Sequence, residues 1–150
     1  MTAARLQTHV SIDTADLAAS LSFYAALLGA EPALRRHDYG RFDVADPPLV
    51  LGLNAVDRRV PPATGPLEHL GIRFADAEEL DAARRRLAGL GVAAEEEADT
   101  ECCYARLTRL WAADPSGVRW ELFVAHEEVV DAPSRAGSAS TCCAPSCCDR

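Results

Sequence analysis

Apolar and polar positions alternate over residues 5–13, with Leu6, Thr8, Val10 and Ile12 on one side and Gln7, His9 and Ser11 on the other. This period of two predicts a half-buried strand. The period then changes: Leu17, Leu21, Tyr24 and Leu28 recur at helical spacing, with Asp13 or Thr14 as the expected cap and Gly29 as the stop. Turn signals at Asp38-Tyr39-Gly40 and Asp46-Pro47-Pro48 then divide three short strands expected near 32–37, 41–46 and 49–54.

Residues 55–66 carry Pro61-Pro62 and Gly65-Pro66, which is linker chemistry, and beyond them the first pattern returns. Residues 67–74 read as a strand, and Asp76 opens a helix with Glu79 three positions on, as in a capping box. Leu80, Ala83, Leu87 and Leu90 form its apolar stripe, Arg84, Arg85 and Arg86 its solvated face, and Gly89 and Gly91 mark its end. Strands near 92–96, 106–113 and 117–124 complete the second unit. Sixty positions separate His9 from His69, Ile12 from Ile72 and Asp16 from Asp76, and Asp46-Pro47 finds its counterpart in Asp114-Pro115. Two copies of a strand-helix-three-strand unit follow, because one copy alone would struggle to bury its sheet. The expected class is α+β, with two small sheets joined into a curved, partly closed surface.

Composition narrows the function. Fifteen Lys and Arg against 23 Asp and Glu give a formal charge of −8, which argues against nucleic-acid binding, since that needs a clustered basic face. Apolar residues make up 49% of the chain, enough for one buried core and too many for disorder throughout. No apolar run approaches the roughly 18 residues of a bilayer span, and the first residues lack an apolar signal core. A cytoplasmic protein is expected. After about Val130 the chain turns to Pro, Ser, Ala, Gly and Cys, a composition that predicts a disordered tail.

His9 and His69 open the two repeats, and Glu121 lies on the last strand of the second, where alternation groups it with Arg119 and Phe123 and sets Val118, Trp120, Leu122 and Val124 opposite. In each strand the candidate ligand lies opposite the face expected to pack under helices, so all three are expected to point into the concave side. Two imidazoles and a carboxylate form the facial triad of non-haem Fe(II), with positions left open; Mn(II) or Zn(II) would accept the same donors. An offset of 68, taken from the Asp-Pro turns, sets Leu53 opposite Glu121, so the fourth ligand that two-fold symmetry would allow is apolar. His37 and His126 fall outside the repeat and are read as surface residues.

All six cysteines occur as adjacent pairs, Cys102-Cys103, Cys142-Cys143 and Cys147-Cys148, a pattern that suggests thiol chemistry more than structural disulfides. Cys102-Cys103 follows the acidic run 95–101, read as a solvated loop. Neighbouring thiols suit a soft centre such as trivalent arsenic, antimony, Cd(II) or Cu(I). The surrounding carboxylates repel oxyanions and so favour a neutral or cationic ligand, with Arg106 and Arg109 as partial offsets. The tail pairs can bind or hand over soft metal, or be dispensable.

At these residues the chain resembles the vicinal oxygen chelate superfamily, the glyoxalase, bleomycin-resistance and extradiol dioxygenase group, and within it the ArsI-type carbon–arsenic lyases and the CadI proteins. The resemblance covers roughly residues 5–125 and is carried by His9, His69, Glu121, Glu-Cys-Cys-Tyr at 101–104 and Asp-Pro-Ser-Gly-Val-Arg-Trp-Glu at 114–121. It implies a vicinal oxygen chelate domain over 1–130, with βαβββ modules at 5–55 and 66–125, ahead of a Cys-rich tail at 131–150. It further implies Fe(II) at the triad, with Glu121 both ligand and catalytic group, O2 as co-substrate, and a loop whose Cys102 and Cys103 capture a trivalent organoarsenical and carry it to the metal. Methylarsenite and aromatic arsenicals would be cleaved to arsenite. A Cd(II)- or As(III)-binding protein without turnover, and a glutathione- or fosfomycin-type transferase, are the competing readings. A homodimer, with modules paired within or between chains, is compatible with the linker near Pro61.

Overall fold

The computed structural model describes residues 6–58, 66–102 and 105–128. Ten elements follow in the order β1 (Thr8–Thr14), α1 (Leu17–Leu28), β2 (Leu34–Arg35), β3 (Tyr39–Val44), β4 (Leu49–Ala55), β5 (Leu70–Arg73), α2 (Ala77–Gly89), β6 (Glu95–Cys102), β7 (Ala105–Ala113) and β8 (Arg119–Glu128). They form two βαβββ modules. The first sheet has the order β1-β4-β3-β2 and the second β5-β8-β7-β6. In each the opening strand pairs parallel with the closing one, β1 with β4 and β5 with β8, while the other pairs are antiparallel. The class is α+β as expected, and the sheets remain separate, with β1 and β5 each at an edge.

Alternation decides what each sheet buries. Ile12, Phe42, Leu49, Leu51 and Leu53 on the first sheet, and Ile72, Leu110, Trp120, Leu122 and Val124 on the second, join one core with the helices. Helix α1 is buried more widely than its stripe predicts: Ser20, Phe23, Ala26 and Leu27 are covered as well as Leu21 and Tyr24, because α1 packs against both its own sheet and α2. Its cap is Asp16 rather than Asp13 or Thr14, the carboxylate accepting from the Ala19 amide at 2.9 Å. Thr14 is instead buried, its hydroxyl 2.7 Å from that of Ser20. The Gly29 stop holds, in the left-handed conformation at φ 62°.

In α2 the Asp76 cap is as expected, accepting from the Glu79 amide at 2.9 Å. Leu90 lies beyond the helix and is half exposed. Of the basic triplet, Arg84 and Arg85 pair with Asp81 on the surface, but Arg86 is not merely solvated. Its Nε donates to the Ala26 carbonyl at 2.7 Å, satisfying one of the carbonyls that the end of α1 leaves open.

A second tie crosses between the modules. The Tyr24 hydroxyl donates to Asp114 Oδ2 at 2.7 Å and accepts from Trp120 Nε1 at 3.2 Å. Asp114 Oδ1 in turn accepts from the Ser116 and Val118 amides, both at 2.8 Å. This turn launches β8, the strand of Glu121. Among the described residues no helix is long and apolar enough to cross a membrane.

Candidate metal centre

Strand registry places the candidate residues. On the second sheet Gly71 pairs with Glu121 and Glu121 with Trp111; Arg73 pairs with Phe123 and Phe123 with Arg109. Registered partners share a face, so Glu121, Trp111, Phe123 and Arg109 line the side away from the helices. His69 precedes β5 and reaches the same side: its ring meets Trp111 edge to face at 5.0 Å between centroids.

His69 Nε2 stands 3.4 Å from Glu121 Oε2, and His69 Nδ1 stands 2.7 Å from Glu68 Oε2. A carboxylate at Nδ1 favours the tautomer that donates there and leaves a lone pair on Nε2. Nε2 and Glu121 Oε2 are then two acceptors facing one another, an arrangement that a proton or a metal cation between them would resolve. Two ligands each about 2.1 Å from one ion lie about 3.0 Å apart at a right angle and about 3.4 Å apart at the tetrahedral angle. In donor type and span, this pair fits two adjacent ligands of one ion.

The third expected ligand stands elsewhere. His9 is exposed on β1 in the first sheet, paired with Val50, and among the described residues no group of three His, Cys, Asp or Glu side chains could hold a metal. His37 and His126 are exposed as expected. The Leu53 assignment is corrected. The registers Ser11–Gly52–Arg41 and Gly71–Glu121–Trp111 correspond, so Gly52 is the counterpart of Glu121, and Leu53 is buried on the helix side. An offset one residue short turned the strand over. The counterpart position still carries no ligand.

The acidic run is corrected as well. Residues 95–102 form edge strand β6 rather than a loop, with a register shift between Glu97 and Thr100 and Cys102 paired with Ala105. An edge strand keeps its outer groups in water and tolerates charge, while Glu97 gains a partner. Cys103 and the side chain of Cys102 lie outside the described residues, as do Cys142, Cys143, Cys147, Cys148 and the whole of 131–150.

Arg109 is the residue that the sequence reading undervalued. It is 1% exposed; its Nε donates to Glu97 Oε2 at 2.6 Å, its Nη2 forms an ion pair with the same oxygen at 2.5 Å, and its Nη1 stands 3.4 Å from Glu121 Oε1. Alternation over 106–113 already puts it with Trp111, on the face of Glu121. The guanidinia of Arg109 and Arg119 lie 5.6 and 4.5 Å from the Trp111 ring centroid, and the indole Nε1 is buried without an acceptor among the described residues. A cavity of about 500 Å³ between the modules, lined by Leu27, Arg73, Phe74 and Arg86 among others, includes none of the candidate ligands.

Paired βαβββ modules, each with its opening strand parallel to its closing one, define the class of fold. The chain belongs to the glyoxalase/bleomycin resistance protein/dioxygenase superfamily, whose family model matches residues 6–122. It is 37% identical over 139 residues to the trivalent organoarsenical cleaving enzyme of Thermomonospora curvata, covering 93% of this chain and 89% of that one. It is 36% identical over 147 residues to the cadmium-induced protein CadI of Mycobacterium tuberculosis, covering 97% and 93%. A glyoxalase/bleomycin resistance protein/dioxygenase structure from Alicyclobacillus acidocaldarius shares the fold, with a TM-score of 0.64 at 22% identity over 81% of this chain and 92% of that one.

Proposed function

We propose that this chain cleaves the carbon–arsenic bond of trivalent organoarsenicals, methylarsenite and aromatic arsenicals among them, in the cytoplasm, with Fe(II) held by His9, His69 and Glu121 and O2 as co-substrate. The observation that carries the proposal is the facing pair of His69 Nε2 and Glu121 Oε2 at 3.4 Å, in a chain 37% identical over 139 residues to a protein named for that cleavage. When bound, Fe(II) would supply the activation of dioxygen.

The protein's own residues would hold and orient. Cys102 and Cys103 exchange two oxygen ligands of arsenic for two sulfurs, releasing two waters, and so fix the arsenical to the hairpin between β6 and β7. Glu68 orients the His69 ring through Nδ1, and Glu121 offers a carboxylate oxygen beside it. Capture replaces a bimolecular encounter with an oriented one.

The separation of the sheets supports a further step: β1 and β5 are both edge strands, and His9 stands apart from the other two ligands. His9 of a second copy would complete the triad in a homodimer. Mixing His9→Ala chains with Glu121→Gln chains then restores one intact site per mixed dimer, and activity returns. If the triad assembles within one chain, the mixture stays inactive.

The lyase reading is tested by loading the protein with Fe(II) under anaerobic conditions, then adding methylarsenite and air. Arsenite is expected, and the Cys102→Ser/Cys103→Ser double variant is expected to release none. The kinship with CadI favours one other reading, a protein that binds Cd(II) or arsenite without turnover. Tight binding with no arsenite released would favour it, and arsenite release left intact in the double cysteine variant would overturn the thiol-capture mechanism.

A further inference from the structure

We propose that Arg109 is a positioning residue for Glu121, and that Glu97 holds Arg109 in that role. The inference rests on His69 and Glu121 being metal ligands.

The carboxylate oxygens of Glu121 are divided between two neighbours. Oε1 faces Arg109 Nη1 and Oε2 faces His69 Nε2, each at 3.4 Å. With Oε1 turned to the guanidinium, Oε2 is the oxygen presented to a cation beside His69, so the carboxylate is offered by one oxygen. Glu97 meets two nitrogens of the same guanidinium, which fixes the plane of the fork and offsets its charge. Without Glu97 the trio of Glu97, Arg109 and Glu121 would pass from one net negative charge to none, and the guanidinium would compete with the metal for Glu121.

The first sheet provides an internal comparison. Registry makes Tyr39 the counterpart of Arg109, through Asp13–Asn54–Tyr39 and Arg73–Phe123–Arg109, just as Gly52 is the counterpart of Glu121. At those two positions the carboxylate and the guanidinium are both replaced, Arg41 stands in register with Gly52, and the Tyr39 hydroxyl lies over Gly52, 3.0 Å from where a Cβ would stand. Glu97 is also the last residue of β6 in regular register before the shift that leads to Cys102, so the clamp links the strand bearing the first thiol to the candidate ligand.

Charge and position predict opposite outcomes. A guanidinium beside a ligand carboxylate repels a cation, so if it acted by charge alone, Arg109→Met would tighten metal binding. A positioning role predicts weakening, by about tenfold or more, as for other groups that orient ligands. The test is Co(II) titration of the full chain, read from the visible d–d bands and the binding constant. Wild type should show bands that Glu121→Gln abolishes or shifts. Arg109→Met should bind Co(II) more weakly with displaced bands, Arg109→Lys should recover part of the affinity, and Glu97→Gln should weaken binding about tenfold. Glu97 is one-third exposed, so that variant remains informative if the buried position 109 tolerates no change: loss of its charge alone would weaken binding with the bands in place, whereas loss of the clamp displaces them. Unaltered or tighter Co(II) binding in Glu97→Gln, or in a folded Arg109→Met, or bands left in place in Glu97→Gln, overturns the inference and leaves the metal reading standing. Wild-type Co(II) bands that ignore Glu121 and His69 overturn both.

Discussion

Replacing Tyr24 by Phe removes one oxygen and breaks two buried hydrogen bonds between the modules. The ring itself should stay, since it packs edge to face on Phe23 and Trp120 at centroid distances of 5.1 and 5.9 Å. What is lost is the hydroxyl's donation to Asp114 and its acceptance from Trp120 Nε1. A hydrogen bond to a charged group contributes about 1.5–3 kcal/mol, and a buried donor left without an acceptor costs about 1–3 kcal/mol; the two overlap, so a loss of about 3 kcal/mol is expected. Urea denaturation at pH 7 should show a midpoint lower by about 1.5 M for a slope of about 2 kcal/mol/M, with the slope unchanged. A loss below about 1 kcal/mol, or a change confined to the slope, would refute this account of the interface. The pH dependence adds a second check. Burial first, then the Asp114 charge and its hydrogen bond, raise the Tyr24 pKa far above its ordinary value. The folded state therefore favours the neutral phenol, and its contribution is intact below the unfolded pKa of about 10. Above that pH the unfolded chain ionises at Tyr24 while the folded one does not, so wild type loses about 1.4 kcal/mol per pH unit from this residue. Tyr24→Phe lacks that loss, and the stability gap between the two proteins should narrow in alkali.

Two other substitutions test how the modules are built. Arg86→Ala removes the donor to the Ala26 carbonyl and should cost about 1.5–3 kcal/mol in the same denaturation assay, with Arg86→Lys recovering part of it. Gly40→Ala would set a Cβ 2.6 Å from Leu21 Cδ2, so Leu21 must shift within a filled core, and a melting experiment should show about 1–3 kcal/mol of destabilisation.

The repeat was legible because it rests on local chemistry: a period-two strand, a capped helix and Asp-Pro turns, each written twice. Asp76 and Gly29 cap and stop their helices as a sequence reading expects, since both act within a few residues of themselves. The departures arise where a distant partner decides. Asp16 caps α1 because Thr14 is drawn inward to Ser20. Residues 95–102 are highly acidic, and composition reads them as loop; they form a strand because β7 supplies a hydrogen-bonding edge and Arg109 a counter-charge for Glu97. His69 and Glu121 were legible as candidates from the repeat and from alternation. The partnership of Glu121 with Arg109 required the register of three strands, which a bulge in β6 and another shift in β7 conceal from any fixed spacing.

The two sheets also differ in a way that bears on chemistry. A faithful duplicate of the second module would carry a carboxylate at position 52 and a guanidinium at position 39. Any arrangement that brought the two non-helical faces together would then offer a metal two histidines and two carboxylates, a filled shell suited to a structural ion. Gly52 with the Tyr39 hydroxyl over it removes one carboxylate along with the cation that would have held it. His9 remains on that face, exposed and with Val50 as its strand neighbour. On the proposed reading the first sheet would contribute His9, whose face also carries Asp13, Arg41 and Asp43, while the second would contribute an imidazole and a carboxylate. On that reading three ligands with one carboxylate would leave positions for dioxygen and substrate, and Gly52, the counterpart of Glu121, is where a fourth and symmetric ligand is missing.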